Sequence, residues 1–275
     1  MNWSHESRRR MRRLFLEGFS VMDVAEPLAS VDAERRAGEV RALLEERDFD
    51  LVGVRRAGRV VGYARRDELH GGTCGTHMRP FVPDDLVAET ASLRDAILSL
   101  GINRRCFVTV LGDPAAIVTV GDLEKPPVRM FLFGMITVLE GLMTAAIAQI
   151  HPADTWREKI TPARLAKAEE LRAERRRRGQ PGDLLDCLQF SDKGRILLGV
   201  PAIADDPALL GGQSRKAAKR ALQELETLRN NLAHGQRIIP DAWERIVRFS
   251  SRLEVLLDLG PLGAAASRTP SEERS

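Results

Sequence analysis

Asp48-Phe49-Asp50-Leu51-Val52-Gly53-Val54-Arg55-Arg56 is followed, across Ala57 and Gly58, by Arg59-Val60-Val61-Gly62-Tyr63-Ala64-Arg65-Arg66. Both runs are rich in β-branched residues and alternate in the way of half-buried strands, and a turn at Gly58 joins them as a hairpin. A helical pattern over 33–47 precedes them. The arrangement then recurs: a helical segment over 92–100, the strand RCFVTVLG at 105–112, a turn expected at Asp113 and Pro114, and a second strand, AAIVTV at 115–120, running into Gly121-Asp122-Leu123. Helix, hairpin and the start of another helix repeat at a spacing of about 54 residues, and such an internal repeat decides the fold of this half of the chain.

Composition bounds the rest. The chain has 275 residues, 43% of them hydrophobic and 29% charged, which describes globular domains and excludes collagen-like or largely disordered chains. A net charge of +3 means that any basic patch is local. Three scattered cysteines, Cys74, Cys106 and Cys187, do not make a disulfide framework, so a reducing cytoplasm is expected. The arginines at 8–13 are not followed by a signal-peptide core. Residues 8–19 read instead as an amphipathic helix with Met11, Leu14, Phe15 and Phe19 on its apolar side. The segment 128–150 has nearly the length of a bilayer span, but Glu140 in its middle would cost about 2.5 to 3.5 kcal/mol there. A buried helix is expected, and no membrane. His70, Cys74 and His77 are three potential ligands where structural zinc needs four, so no metal is expected.

The repeat resembles a tandem pair of cystathionine-β-synthase (CBS) domains over about 22–126, a βαββα unit used twice. That family ends its second strand in Gly-x-x-Ser/Thr-x-x-Asp-Leu. The second copy reads Ala116-Ile117-Val118-Thr119-Val120-Gly121-Asp122-Leu123, matching at Thr, Asp and Leu. The first copy reads Gly62-Tyr63-Ala64-Arg65-Arg66-Asp67-Glu68-Leu69 and departs at the hydroxyl and the carboxylate. The resemblance implies that Thr119 and Asp122 hold the phosphate and ribose of an adenosine nucleotide (AMP, ADP or ATP), a role that suits a hydroxyl at a helix start and an acceptor-only carboxylate. Thr followed three residues later by Asp is also close to a capping box, which needs no ligand. Arg65 could reach a ligand's phosphates from the other copy.

After 127 the strand signals stop. Helical patterns cover 128–150, 162–178, 184–198, 214–234 and 240–259, which implies an all-α bundle of four or five helices; 260–275 reads as a disordered tail. The phrase Leu228-Arg229-Asn230-Asn231-Leu232-Ala233-His234-Gly235 closes the fourth pattern. It resembles the Arg-Asn-x-x-x-His signature of the HEPN superfamily (higher eukaryotes and prokaryotes nucleotide-binding), many of whose members are metal-independent ribonucleases. RNA cleavage by internal transesterification needs a proton-transfer group, which histidine provides near neutrality, and a cation for the phosphorane, which arginine's fork suits. Asn230 and His234 are four apart and share a face. Arg229 and His234 lie about 140° apart around a helix, so a second copy across a two-fold axis would complete the site, and the resemblance implies a homodimer too. A C-terminal histidine before glycine, with Arg229 pairing Glu226, is the structural alternative.

Glu140, a lone acid in an apolar helix, is expected to pair with Arg229 or His234 and so to support that site. Arg175, Arg176, Arg177 and Arg178 are candidates to grip an RNA backbone, unless Glu169, Glu170 and Glu174 make them a solvated face. The expected protein is thus α+β, a nucleotide-sensing CBS pair fused to a metal-independent ribonuclease of HEPN type. The resemblance suits a toxin or defence effector, with RNA as substrate and possible restraint by an antitoxin-like protein. The alternative is a non-catalytic nucleotide-sensing regulator whose helical domain only dimerises or binds a partner.

Overall fold

The computed structural model describes residues 10, 11, 13–15, 17–204, 214–239 and 243–251. The expected tail at 260–275 lies outside them, as do parts of the expected 8–19 and 240–259 helices. The chain divides into two compact units, Leu16–Val128 and Met1–Phe15 with Arg129–Ser275.

The first unit holds two four-stranded sheets. Strands β1 (Glu26–Pro27), β2 (Ser30–Asp32), β3 (Leu51–Arg56) and β4 (Arg59–Arg65) precede β5 (Arg79–Pro80), β6 (Leu86–Ala88), β7 (Arg105–Val110) and β8 (Asp113–Thr119). Helix α1 spans Ala37–Glu46 and α2 spans Leu93–Asn103. The two hairpins are superposable in register: Leu51 faces Arg65 as Arg105 faces Thr119, and each register slips at the same place, after Val54 and after Val108. Every pair is displaced by 54 positions. Parallel pairs β2–β3 and β6–β7 extend each sheet.

The edge strands are exchanged. β1 lies beside β8 of the second copy, with Glu26 opposite Ile117, and β5 lies beside β4 of the first, with Tyr63 opposite Arg79. The sheet orders are therefore β1-β8-β7-β6 and β2-β3-β4-β5. Gly62 permits this approach, because a Cβ there would meet the Arg79 carbonyl.

The second hairpin turn corrects the expectation. It falls at Leu111-Gly112, not at Asp113 and Pro114, which already belong to β8. Ala57 and Leu111 have φ of 50° and 51°, Gly58 and Gly112 of 79° and 89°. Two left-handed residues in a two-residue loop match the twist of the strands, and Pro114, with no N–H, sits at the register slip where a ladder bond is not demanded. The spacing of Ala37, Val40 and Leu44 puts one stripe of α1 into a core with Val52, Val54 and Ala64.

The second unit is helical. It contains α3 (Pro126–Ile150, whose first residues belong to the other unit), α4 (Pro162–Arg177), α5 (Phe190–Leu198), the short α6 (Pro201–Ala204), α7 (Arg215–Ala233) and α8 (Trp243–Ser251). The expected 184–198 helix is broken: Leu184–Cys187 form a 3-10 turn, and α5 starts only at Phe190. Among the described residues α3 alone is long and apolar enough to cross a membrane by length and composition. Phe131, Leu132, Ile136 and Ile147 on α3 are fully buried. Phe15 meets Phe131 edge-on at 6.2 Å over Gly134, where a Cβ would stand 2.6 Å from the Phe15 ring.

Candidate functional site

The motif lies at the C-terminal end of α7. Leu228 and Leu232 point into the core, and this turns Arg229, Asn230 and His234 out to solvent. His234 is the C-cap, its N–H donating to the Asn230 carbonyl at 3.0 Å. Gly235 follows in the left-handed region at φ 67°, and the Gln236 N–H reaches back to the Asn231 carbonyl at 2.9 Å while Gly235 donates to Leu232. This is a complete Schellman closure. Arg229 donates to the Asn230 side-chain carbonyl at 3.3 Å, so the structure joins those two within one chain.

Arg129, on the first turns of α3, is a residue that sequence reasoning missed. Its guanidinium donates to the Gln236 carbonyl at 3.0 Å, to Asn231 at 3.3 Å and to Leu232 at 3.4 Å. A cation thus adds a second hydrogen bond to carbonyls of the closing turn at the negative end of the helix, beside the candidate histidine. The signal was a lone arginine in an apolar run, but its partners lie a hundred residues away.

Glu140 is corrected. Its partner is Lys193 of α5, at 2.9 Å, and neither Arg229 nor His234. Lys193 is 4% exposed, so the ammonium has been carried into the core and holds the carboxylate that α3 presents to it. Glu140 therefore serves the packing of α3 on α5, and the site residues remain Arg229, Asn230 and His234.

The arginine cluster at the end of α4 is partly neutralised. Arg177 and Arg178 both pair with Glu174, and Arg175 donates to the Asp186 carbonyl at 3.3 Å; Arg176 stays exposed. A second concentration of cations lies elsewhere. A cleft of about 680 Å3 opens between Arg164 at the start of α4, Arg195 of α5, and Arg215, Lys216 and Lys219 of α7, over Leu198 and Leu222. Among the described residues Glu226 supplies its one carboxylate. The run Arg215-Lys216-Ala217-Ala218-Lys219 carried this signal in the sequence, but the α4 and α5 residues join it only through the fold.

In the other unit, β8 delivers Thr119 to a 3-10 turn at Val120–Glu124. The Thr119 N–H and hydroxyl both donate to one Asp122 oxygen, at 2.7 and 2.9 Å, and Lys125 pairs with the other at 2.8 Å. Lys125 also bonds the Val24 carbonyl and pairs with Glu26. Burial would lower the Lys125 pKa, but hydrogen bonds to Asp122 and Glu26 outweigh it and raise it. The capping arrangement is thus present, and any ribose would share Asp122 with Lys125. In the first copy Arg65 pairs with Asp67 at 2.8 Å, and Arg66 with Asp50 at 2.9 Å. Cys74 is buried in the core and the His77 ring contacts the Gly71 carbonyl. Among the described residues no group of three or more His, Cys, Asp or Glu is placed to hold a metal ion.

Two interlaced βαββ units with exchanged edge strands define the class of the first unit, a tandem α+β repeat. Several of the solved structures that the chain resembles are described as CBS-domain proteins. They include the CBS domain of a bacterial CNNM/CorC family Mg2+ transporter in complex with ATP, at 20% identity and a TM-score of 0.36 over 47% of this chain and 96% of that one. Another is CBSX2 in complex with AMP, at 23% identity and 0.35 over 38% and 93%. A CBS domain protein from Thermoplasma acidophilum follows, at 18% identity and 0.34 over 42% and 75%. No protein-family model and no curated protein matches the chain.

Proposed function

We propose that the helical unit is a metal-independent endoribonuclease of HEPN type, governed by an adenosine nucleotide that the tandem repeat binds at Thr119 and Asp122. The observation that carries this reading is the exposure of Arg229, Asn230 and His234 together at the end of one buried-backed helix. His234 is the proton-transfer group, Asn230 orients the substrate, and Arg229 meets the charge that grows on the phosphorane. Because Arg229 and His234 diverge by about 140° on one helix, Arg229 acts on the phosphate attacked beside the histidine of a second copy, and the active form is a homodimer. Nucleotide affinity that differs between two arrangements of the repeat would bias the unit that α3 begins.

The test is total RNA incubated in EDTA, with and without AMP or ATP, beside His234→Ala. Products with 2′,3′-cyclic phosphate ends that disappear in the variant support the reading; equal behaviour of the two proteins overturns it. One observation favours a second reading, a non-catalytic regulator whose helical unit dimerises or binds a partner: His234 already has a structural role in the α7 closure. That reading has His234→Ala lose stability and no RNA-directed activity.

A further inference from the structure

The cationic cleft of the helical unit stands apart from every residue assigned so far. Arg164 is partly engaged there, by Gln189 at 2.6 Å and by Asp192 at 3.6 Å. Arg195, Arg215, Lys216 and Lys219 are exposed, and no carboxylate among the described residues pairs with them. By contrast the neighbouring Arg220 is held by Glu224. Four cations that face one hollow and have no carboxylate partner among the described residues repel one another, and they persist at little cost only in water or against an anion.

The direction of the row identifies the anion. At about 100° per residue, Arg215, Lys216, Lys219 and Glu226 fall within the same arc of about 100° on α7 as Asn230 and His234. At about 1.5 Å per residue, Lys219 stands about 22 Å along the axis from His234. Arg215, Lys216 and Lys219 occupy about 6 Å of the α7 axis and Arg195 faces the same hollow from α5, while among the described residues no aromatic side chain lines the cleft to hold a base. Consecutive phosphodiesters of one strand fit cations set on two helices about a hollow that offers nothing to stack a base.

We propose that this cleft is the RNA-backbone groove of the protein, seating phosphates of a single strand through Arg195, Arg215, Lys216 and Lys219, so that the strand runs along α7 toward Asn230 and His234. The proposal rests on the ribonuclease reading for the direction of the strand, and not for the groove itself. Phosphate contacts of this kind hold register and carry no sequence. The arginines at the end of α4 lie about 18 Å along that helix from Arg164, and two of them are occupied by Glu174, so they are no part of the groove.

The experiment measures binding of a fluorescent 2′-O-methyl RNA decamer, which cannot undergo internal transesterification, to the full chain over a range of salt. For the double variant Lys216→Ala/Lys219→Ala, loss of two single-strand phosphate contacts lowers the slope of log affinity against log salt by about 1.4. Arg176→Ala leaves the slope unchanged, and thermal melting verifies that each variant is folded. A double variant that binds like wild type overturns the groove, even when His234→Ala abolishes cleavage and the ribonuclease reading stands. Binding with the expected slope change in a wild type that cleaves nothing supports the groove and overturns that reading. Full displacement of the decamer by ATP, with ATP affinity lost in the double variant, makes the cleft a mononucleotide site and overturns the proposal.

Discussion

Arg59 and Asp113 occupy the same position in the two copies of the repeat, the first residue of the second hairpin strand, and they pair with each other, the Arg59 Nε donating to Asp113 Oδ1 at 3.2 Å. A contact between equivalent residues is what a pseudo-two-fold axis produces, so the duplication in sequence is a symmetry in space. Both side chains are exposed, and the pair contributes little stability. Its value is as a marker of register.

Glu140→Ala leaves the Lys193 ammonium in the core without its partner and destabilises the protein by about 3 kcal/mol, as removal of one member of a buried pair does. Glu140→Leu/Lys193→Met removes both charges and recovers most of that loss. Urea denaturation of the three proteins measures this. The double variant keeps whatever RNA cleavage the wild type has.

Arg129→Ala removes three hydrogen bonds from the end of α7 and costs about 1.5 kcal/mol. Hydrogen exchange at the Gly235 and Gln236 amides rises in this variant. Arg129→Lys restores only part of the protection, because an ammonium cannot reproduce the spread of the guanidinium fork.

His151 has its Nε2 atom buried without a hydrogen-bond partner among the described residues. Burial lowers its pKa below the ordinary 6.5, and the charge of Lys159 lowers it further. The unfolded chain therefore takes up the proton first as pH falls. Stability linked to this group is complete above pH 6.5 and declines as pH drops below that value toward the folded-state pKa. In His151→Phe, melting temperature changes less between pH 7 and pH 5 than in the wild type.

Cys106 is fully buried, and burial pushes its thiol up to about 12; Cys74 is raised for the same reason. Thiolate is the reactive form, so at pH 8 a disulfide reagent modifies these two in the native protein at a small fraction of the rate seen in urea. Rapid labelling of Cys106 in the native protein, located by mass spectrometry, would contradict the packing of β7.

The hairpins were legible because alternation and a turn glycine are local signals, and the helical pattern over 92–100 falls on α2, which the structure opens with a capping box of Ser92 and Asp95. The second turn was misplaced because Pro114 reads as turn punctuation, whereas the slip in register after Val108 accommodates it inside a strand. The exchange of β1 and β5 left no trace, since a strand of two residues has no periodicity and its partner is set by the whole sheet. At the site, α7 and its closing glycine were readable, but the partner of Glu140, the cap from Arg129 and the assembly of the cleft all depend on which helix faces reach one another. These contacts span many residues, and no local pattern encodes them.

The exchanged edges make the two copies mutually dependent. As the chain leaves the ribosome, Glu26 and Pro27 wait some ninety residues for Ile117 and Ala116, while the first sheet cannot gain its last strand until Arg79 has been made. A copy cut away from its duplicate would present an unfilled edge to any passing strand, a hazard for aggregation. Duplicates tied in this manner are gained or lost together, and each stays free to change the chemistry at the end of its second hairpin strand, as the contrast between Thr119 and Arg65 records.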